Sequence, residues 1–321
     1  LESRIDREEV SRYSFLVADP VEFVDDAKPA TGADPFGRLR ELLDPFRTDR
    51  VAGLPPFQGG VVGLLGYELG AAWETVPRSP HDEFALPVLA AGVYDRVLAW
   101  DHVLGRAWII SQGFPETDPA RRVRRAHQRA DQFRHWLNGP AQHDRAADDQ
   151  LLDAGSLAPQ HAAGGLAGLT SNFSADGYRQ AVQQVVDYIH AGDVFQVNLA
   201  QRLLYPAEDD SVSLYLRLRE RNPATFAGYF ALDGFQLVSA SPERFLRVEQ
   251  QQVEARPIKG TRARMLYPEA DLALAEELRR SEKDQAENIM IVDLLRNDLS
   301  IVCEAESVRA STLCQLEAYQ L

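Results

Sequence analysis

The sequence predicts an α+β protein. Short strands bounded by turn residues come as a block at Val88 to Val93, Val97 to Asp101 and Ala107 to Ser111, while helical periodicity appears separately over Asp118 to Leu137, Ser174 to Gly192 and Glu269 onward. Nowhere do strand and helix alternate as a doubly wound parallel sheet requires. The 321 residues are 45% hydrophobic and 26% charged, which supports one large core or two smaller ones.

Asp34 to Phe46 spaces Phe36, Leu39, Leu42 and Leu43 at helical intervals, and Pro45 marks the end of that helix. The glycines of Leu54 to Glu68 interrupt an apolar run, as strands packed close to other backbone require. A phosphate-binding loop is disfavoured there, since neither a Lys-Ser/Thr ending nor Gly-x-Gly-x-x-Gly spacing is present. In the charged helix Asp118 to Leu137, Val123, Ala126, Ala130, Phe133 and Leu137 form a narrow apolar stripe, and Arg121, Arg122, Arg124 and Arg125 read as a solvated face. Residues 138–169 lose periodicity and turn to Ala, Gly, Asp, Gln and His, the signature of a flexible linker in which His143 and His161 have no partner at metal-ligand spacing. Ser174 then caps a helix whose apolar face runs from Tyr178 to Ile189 and which Gly192 closes. From Phe195 the pattern alternates, with Val197, Leu199 and Leu203 on one side and Gln196, Asn198, Ala200 and Arg202 on the other, as in a strand.

A net charge of -14 argues against a nucleic-acid or anionic-membrane surface. An acidic substrate therefore needs local arginines or a metal. Cys303 and Cys314 are the only cysteines, which makes a disulfide framework improbable, and the lack of a signal peptide or long apolar run suggests a cytoplasmic protein.

Reactive groups concentrate between Ser241 and Arg264. Leu237 and Val238, and beyond Ser-Pro-Glu the residues Phe245, Leu246 and Val248, read as strand; Gln250 to Gln252 read as a turn and Val253 to Ile258 as the returning strand. Equal arms would fold Glu243 and Lys259 back to the same end of a sheet. Lys259 lies between Ile258 and Gly260 with Arg256, Arg262 and Arg264 nearby, and both an apolar setting and neighbouring cations favour an uncharged, nucleophilic amine. By itself, Pro-x-Lys-Gly-Thr also fits a surface hairpin with basic residues beside a turn.

Ser281-Glu282-Lys283-Asp284 opens a helix with a capping-box pattern after the helix Glu269 to Arg280. At ~100° per residue, Glu287 centres a face shared with Lys283, Asp284, Met290, Ile291 and Leu294, while Ile289, Val292 and Leu295 cover the opposite side. The pattern predicts a buried helix, and a buried carboxylate needs a partner or a metal. Asp284 supplies a second acid one turn away; a salt bridge from Glu287 to Lys283 or Arg296 is the alternative reading.

Taken together, Ser241-Pro242-Glu243-Arg244-Phe245, Pro257-Ile258-Lys259-Gly260-Thr261, Gly192 to Arg202 and Lys283 to Leu299 resemble the chorismate-utilising enzymes. Leu1-Glu2-Ser3 and Arg12 to Leu16 with Asp19-Pro20 resemble their amino-terminal region, and Leu54 to Glu68 their amino-terminal domain. The lysine form of Pro-Ile-Lys-Gly-Thr is similar to that of the aminodeoxychorismate synthase component I branch; the anthranilate synthase component I branch has alanine where Lys259 stands.

The resemblance implies an α/β sandwich of antiparallel sheets with helices outside. It implies amination of chorismate at C4, with Lys259 as nucleophile, Glu243 as general acid, and Gln196 denying water a route to the ring. Gly260, Thr261 and Arg202 would bind substrate, Glu287 with Asp284 would hold Mg2+, and Ser3 would line a tryptophan-like pocket. Ammonia would come from a separate glutamine amidotransferase subunit. Residues 1–137 would form the amino-terminal sheet and helix portion and 170–321 the chorismate-binding portion. That second portion reads as truncated, since the family's His-Leu segment, Gly-Ser/Thr-x-Thr-Gly-Ala-Pro-Lys stretch and second metal-binding glutamate do not occur before Leu321. Anthranilate synthase component I is the nearest rival, an isochorismate synthase is disfavoured by Gln196, and a non-catalytic binding or regulatory module is the reading from another class.

Overall fold

The computed structural model describes residues 12–26, 31–77, 79–140, 157–207, 209–232 and 234–317. Ser3, His143 and half of the predicted linker lie outside the described residues. The amino-terminal portion comprises strands β1 (Tyr13–Leu16), β2 (Glu22–Asp26), β3 (Gly60–Leu65), β4 (Leu89–Tyr94), β5 (Arg96–Asp101) and β6 (Arg106–Ser111), with helices α1 (Gly37–Leu43) and α2 (Pro119–Asn138). All pair antiparallel, in two three-stranded sheets ordered β2-β4-β3 and β1-β5-β6. The central strands β4 and β5 follow each other with only Asp95 between them, so one nearly continuous extended segment threads both sheets. All six residues of β4 are buried and five of six in β5, which explains the apolar runs Leu89 to Val93 and Val97 to Trp100.

Close packing sets the glycine pattern predicted for Leu54 to Glu68. A Cβ at Gly63 would lie 2.5 Å from the Ala90 carbonyl oxygen across the β3–β4 ladder. The core gathers Leu39 of α1, Leu69, and Val88, Leu89 and Ala91 at β4, with Val24, Phe36 and Val61 packed against it. Asp118 caps α2 by accepting from the Arg121 N–H at 2.9 Å.

The α2 arginines depart from the solvated face expected of them. Arg121 does pair outward with Glu116, but Arg122 donates to the Gln112 carbonyl and stacks over Phe114, and Arg125 donates to the Phe114 carbonyl. These side chains fasten the helix to the end of β6, satisfying carbonyls that the sheet leaves unpaired. Deeper still, Arg129 donates through Nε and Nη2 to Asp95 Oδ1 at 3.1 and 2.9 Å, and also engages Asp19. Arg96, with no exposed side-chain surface, donates to Asp19, to Gln132 and to the Arg129 carbonyl while lying over the Phe133 and Trp136 rings.

The second half contains β7 (His161–Ala162), β8 (Thr170–Ser171), α3 (Ala175–Ala191), β9 (Leu203–Leu204), α4 (Ser211–Arg221), β10 (Phe226–Leu232), β11 (Phe235–Ser241), β12 (Arg247–Glu249), β13 (Gln252–Glu254), α5 (Pro268–Arg280) and α6 (Glu282–Val302). Helix α3 starts at the Ser174 cap and ends at Gly192, φ +81°, as predicted. β10 and β11 form a seven-residue antiparallel hairpin against which α4 packs through Tyr215 and Tyr229, with Ser211 hydrogen-bonded to the Tyr229 hydroxyl.

Three expectations fail here, for a common reason. The strand predicted from Phe195 shrinks to Leu203–Leu204, paired with β8, because no described strand lies beside Phe195 to Gln201 to accept its ladder hydrogen bonds. The linker keeps a strand of its own, β7, paired with β8 through His161 and Ser171. Helix α6 is not buried: Ile289 is 50% exposed and Ile301 77%. Beyond residue 160, the described residues bury only Ser171, Ala224, Thr225 and Ala227, so this half has little to pack its apolar stripes against. No helix among the described residues is long and apolar enough to cross a membrane.

Candidate active site

Two segments converge on the loop that carries Lys259. The first is the β12–β13 hairpin, whose two-residue turn places Gln250 and Gln251 at φ +49° and +64°, the left-handed pair that tight hairpins need. Its register matches Arg247 with Glu254 and Glu249 with Gln252. Carried past the last paired residues, that register sets Glu243 opposite Ile258, and Glu243 Oε1 accepts from the Ile258 N–H at 2.9 Å. The hairpin is shorter than predicted, yet its arms are equal, so the carboxylate and the lysine loop do return to one end. Ser241 fixes the Ser-Pro-Glu turn by accepting from the Glu243 N–H at 3.2 Å and donating to the Glu243 carbonyl at 3.0 Å.

The second segment is the first two turns of α6. Ser281 caps it, its hydroxyl accepting from the Asp284 N–H at 3.3 Å. Gly260 adopts φ +70° directly over this turn, where a Cβ would lie 2.9 Å from Asp284 Cβ and from Leu278 Cδ1. Only glycine satisfies both the backbone angle and the close approach. One turn on, Asn288 Nδ2 lies 3.5 Å from the Pro257 carbonyl. Arg262 closes the other side of the loop, donating to Asp284 Oδ2 at 3.1 Å and to Glu277 Oε1 of α5 at 2.8 Å.

Lys259 itself is half-buried and has no hydrogen bond or ion pair among the described residues. Its neighbouring cations are compensated, which corrects the expected cationic surroundings: Arg256 pairs with Glu254, Arg262 with Glu277 and Asp284, Arg264 with Asp271. Each carboxylate offsets the field that its arginine would exert on the amine. Glu287, also half-buried, has no described partner either. The alternative salt bridge fails because Arg296 turns to Asp293, its i−3 neighbour, at 2.5 Å.

Asp284, expected to act as a second metal acid, is engaged by Arg262. Its hydrogen bonding around Ser281, and then Arg262, hold its carboxyl below the usual carboxylate range, and one oxygen is committed to the guanidinium. Among the described residues no three carboxylate, histidine or cysteine side chains cluster as a metal cage. Glu287 does fit a hard cation, being a partly shielded, unpaired carboxylate; magnesium is commonly held by one or two carboxylates, with water and substrate oxygens filling its remaining positions. The fit therefore extends to Glu287 as one ligand, while one oxygen of Asp284 is taken by Arg262.

Gln196 and Arg202 are not drawn into this cluster. Gln196 sits in the irregular stretch before β9. Arg202, expected to touch substrate, instead binds Glu83, whose side chain is 1% exposed, and stacks over Phe84 at 4.8 Å. Hydrogen bonds from Glu83's own backbone and then from the Ala158 N–H and Arg202 hold the Glu83 carboxyl below its ordinary range despite burial. This ion pair ties the two halves of the chain together, a contact across 119 positions that no local pattern could signal. Arg262 and Asn288 were the residues whose site role sequence reasoning missed. For Arg262 the only clue was its place three residues after Lys259.

The comparisons with known proteins bear on this cluster. Residues 2–321 match the family model for chorismate binding enzymes. Aminodeoxychorismate synthase component 1 of Escherichia coli (strain K12) is 32% identical over 322 residues, covering 96% of this chain and 64% of that protein. Anthranilate synthase component 1 of Thermus thermophilus is 36% identical over 310 residues, covering 96% of this chain and 62% of its own length. The chain thus spans a little under two thirds of the length of these relatives. A crystal structure of anthranilate synthase component I from Streptococcus pneumoniae TIGR4 superposes with a TM-score of 0.76 at 24% identity, over 100% of this chain and 68% of that one, and shares its α+β fold.

Proposed function

Since this chain belongs to the chorismate-binding enzyme family, we propose that it is an aminodeoxychorismate synthase component I, aminating chorismate at C4 to give 4-amino-4-deoxychorismate. The observation that carries this reading is the lysine at 259. The chain places only three lysines, Lys28, Lys259 and Lys283, among 34 basic residues. Where positive charge alone suffices it uses arginine, which cannot lose its proton; a lysine in the converging loop supplies an amine that can. That amine has no partner among the described residues and stands beside the residue that Glu243 holds.

In the proposed reaction the Lys259 amine forms a bond to C2 of chorismate as the ring double bonds shift and the C4–O bond breaks. Glu243 gives the departing hydroxyl its proton, so that water leaves. Ammonia then bonds to C4, the double bonds shift back, and the C2–N bond to Lys259 breaks, regenerating the amine. Magnesium, when bound at Glu287, would supply positive charge for the substrate's ring carboxylate. Gly260 and Thr261, next to Lys259 in the chain, would bind the substrate there. Gln196 cannot act as a base, its amide having no accessible proton-accepting state at neutral pH, so the site would offer water no activation. Ammonia would be delivered by a separate glutamine amidotransferase subunit.

The test is direct. The chain is incubated with chorismate, Mg2+ and ammonium salt, and products are resolved by chromatography; 4-amino-4-deoxychorismate is expected, and release of anthranilate would transfer the chain to the other branch. Replacing Glu287 with glutamine keeps its size and removes its charge. The Mg2+ concentration needed for half-maximal chorismate binding should then rise about 10-fold or more, with the melting temperature unchanged. An unshifted titration removes Glu287 from the metal site.

A further inference from the structure

We infer that Arg262 is a positioning residue for the Lys259 amine, pinning its loop at once to α5, to α6 and to the loop's own backbone. The inference rests on the reading of Lys259 given above and assigns to Arg262 and Asp284 a role in holding that side chain's place.

One guanidinium makes three connections. Nε donates to Glu277 Oε1 on α5 at 2.8 Å, Nη2 to Asp284 Oδ2 on α6 at 3.1 Å, and Nη1 to the Thr261 carbonyl at 3.0 Å. The planar fork of arginine is suited to such divergent donation, and the pair with Asp284 is partly shielded, the two side chains being 28% and 17% exposed. Gly260 adds a steric reason for the same docking, because its Cα rests where no Cβ fits against Asp284 and Leu278. On the far side, Glu243 holds the Ile258 N–H at 2.9 Å. Lys259 therefore stands between two fixed points, one on the β12–β13 hairpin and one on the helix pair.

Freed from Arg262, residues 257–262 would keep the Glu243 side, the long Asn288 contact at 3.5 Å and, farther along the chain, the bonds of Arg264 and the Met265 N–H to Asp271. The lysine would lose its place relative to Glu287, which lies one turn beyond Asp284 on the same helix. Asp284 Oδ2 is taken up by this clamp, the reason to assign that carboxylate to the loop.

The test uses Lys283, exposed on the same helix, as an internal standard. Amine labelling of Lys259 relative to Lys283 is followed by peptide mass spectrometry, with hydrogen exchange of the segment 257–262, in the parent chain and in Arg262→Ala, Arg262→Lys and Asp284→Asn. Loss of one charge-assisted hydrogen bond should raise exchange of the Ile258 amide on the order of tenfold. The Lys259 to Lys283 labelling ratio should rise with it in Arg262→Ala and Asp284→Asn, and by less in Arg262→Lys, which keeps one donor. Asp284→Asn preserves the backbone N–H that Ser281 caps, so it reports on the clamp if Arg262→Ala unfolds. An unchanged ratio and unchanged exchange in a folded Asp284→Asn overturn the proposal. Neither readout needs chorismate, so a chain that keeps the clamp and forms no aminodeoxychorismate refutes the functional reading alone.

Discussion

Replacing Lys259 with alanine should abolish the proposed amination of chorismate, with a loss on the order of 10⁴-fold or more, the effect of removing the proposed covalent nucleophile from residues that act as a unit. Arginine at the same position fails as completely, because the guanidinium keeps its proton and has no lone pair to offer C2. Two measurements check this. Product formation at low ammonia reads the loss directly. Intact-mass analysis of the parent chain with chorismate and Mg2+, ammonia withheld, should reveal an adduct of chorismate less water, mapped by peptide digestion to Lys259 and missing from Lys259→Ala. Full amination by the alanine variant would rule out the nucleophile. Neither substitution should lower the melting temperature, since Lys259 has no ion pair or hydrogen bond to lose among the described residues.

Replacing Arg129 with alanine should produce the largest loss of stability, about 3–5 kcal/mol, the usual penalty for leaving a buried charge without its partner. Asp95 has no exposed side-chain surface; among the described residues its Oδ1 is held only by Arg129, and its Oδ2 is buried without a hydrogen bond. Arg96 directs its Nη1 and Nη2 donors to Gln132, the Arg129 carbonyl and Asp19, so in the parent chain it makes no hydrogen bond to Asp95 among the described residues. Thermal unfolding should move down by roughly 10 °C. The double variant Asp95→Asn, Arg129→Ala should recover much of the loss, because the amide carries no charge to strand. A single variant that melts within about 2 °C of the parent would show that Asp95 is rescued by water or by a proton.

Where local physics decides the outcome, the chain could be read directly. Ser174, Ser281 and Asp118 cap helices because a short side-chain oxygen reaches the N–H groups of the next turn, and Gly192 ends α3 because it takes a left-handed angle without strain. Strands β4, β5 and β6 followed for the same reason, each carrying enough apolar or turn signal within itself, whereas β2 carries no such signal and was not foreseen. The Lys259 loop was legible as well, since Ser-Pro-Glu and Pro-Ile-Lys-Gly-Thr are short motifs, and equal hairpin arms fold their ends together. Only the tertiary structure could decide which long-range partner each charge takes. Nothing in the sequence showed that Asp284 pairs with Arg262 or that Arg202 pairs with Glu83, and Phe195 to Gln201 looked like a strand although no described neighbour pairs with it. Alternation and helical spacing report what one segment could bury; ion pairing and ladder hydrogen bonds depend on what the rest of the chain brings within about 3 Å, a distance that sequence separation does not encode.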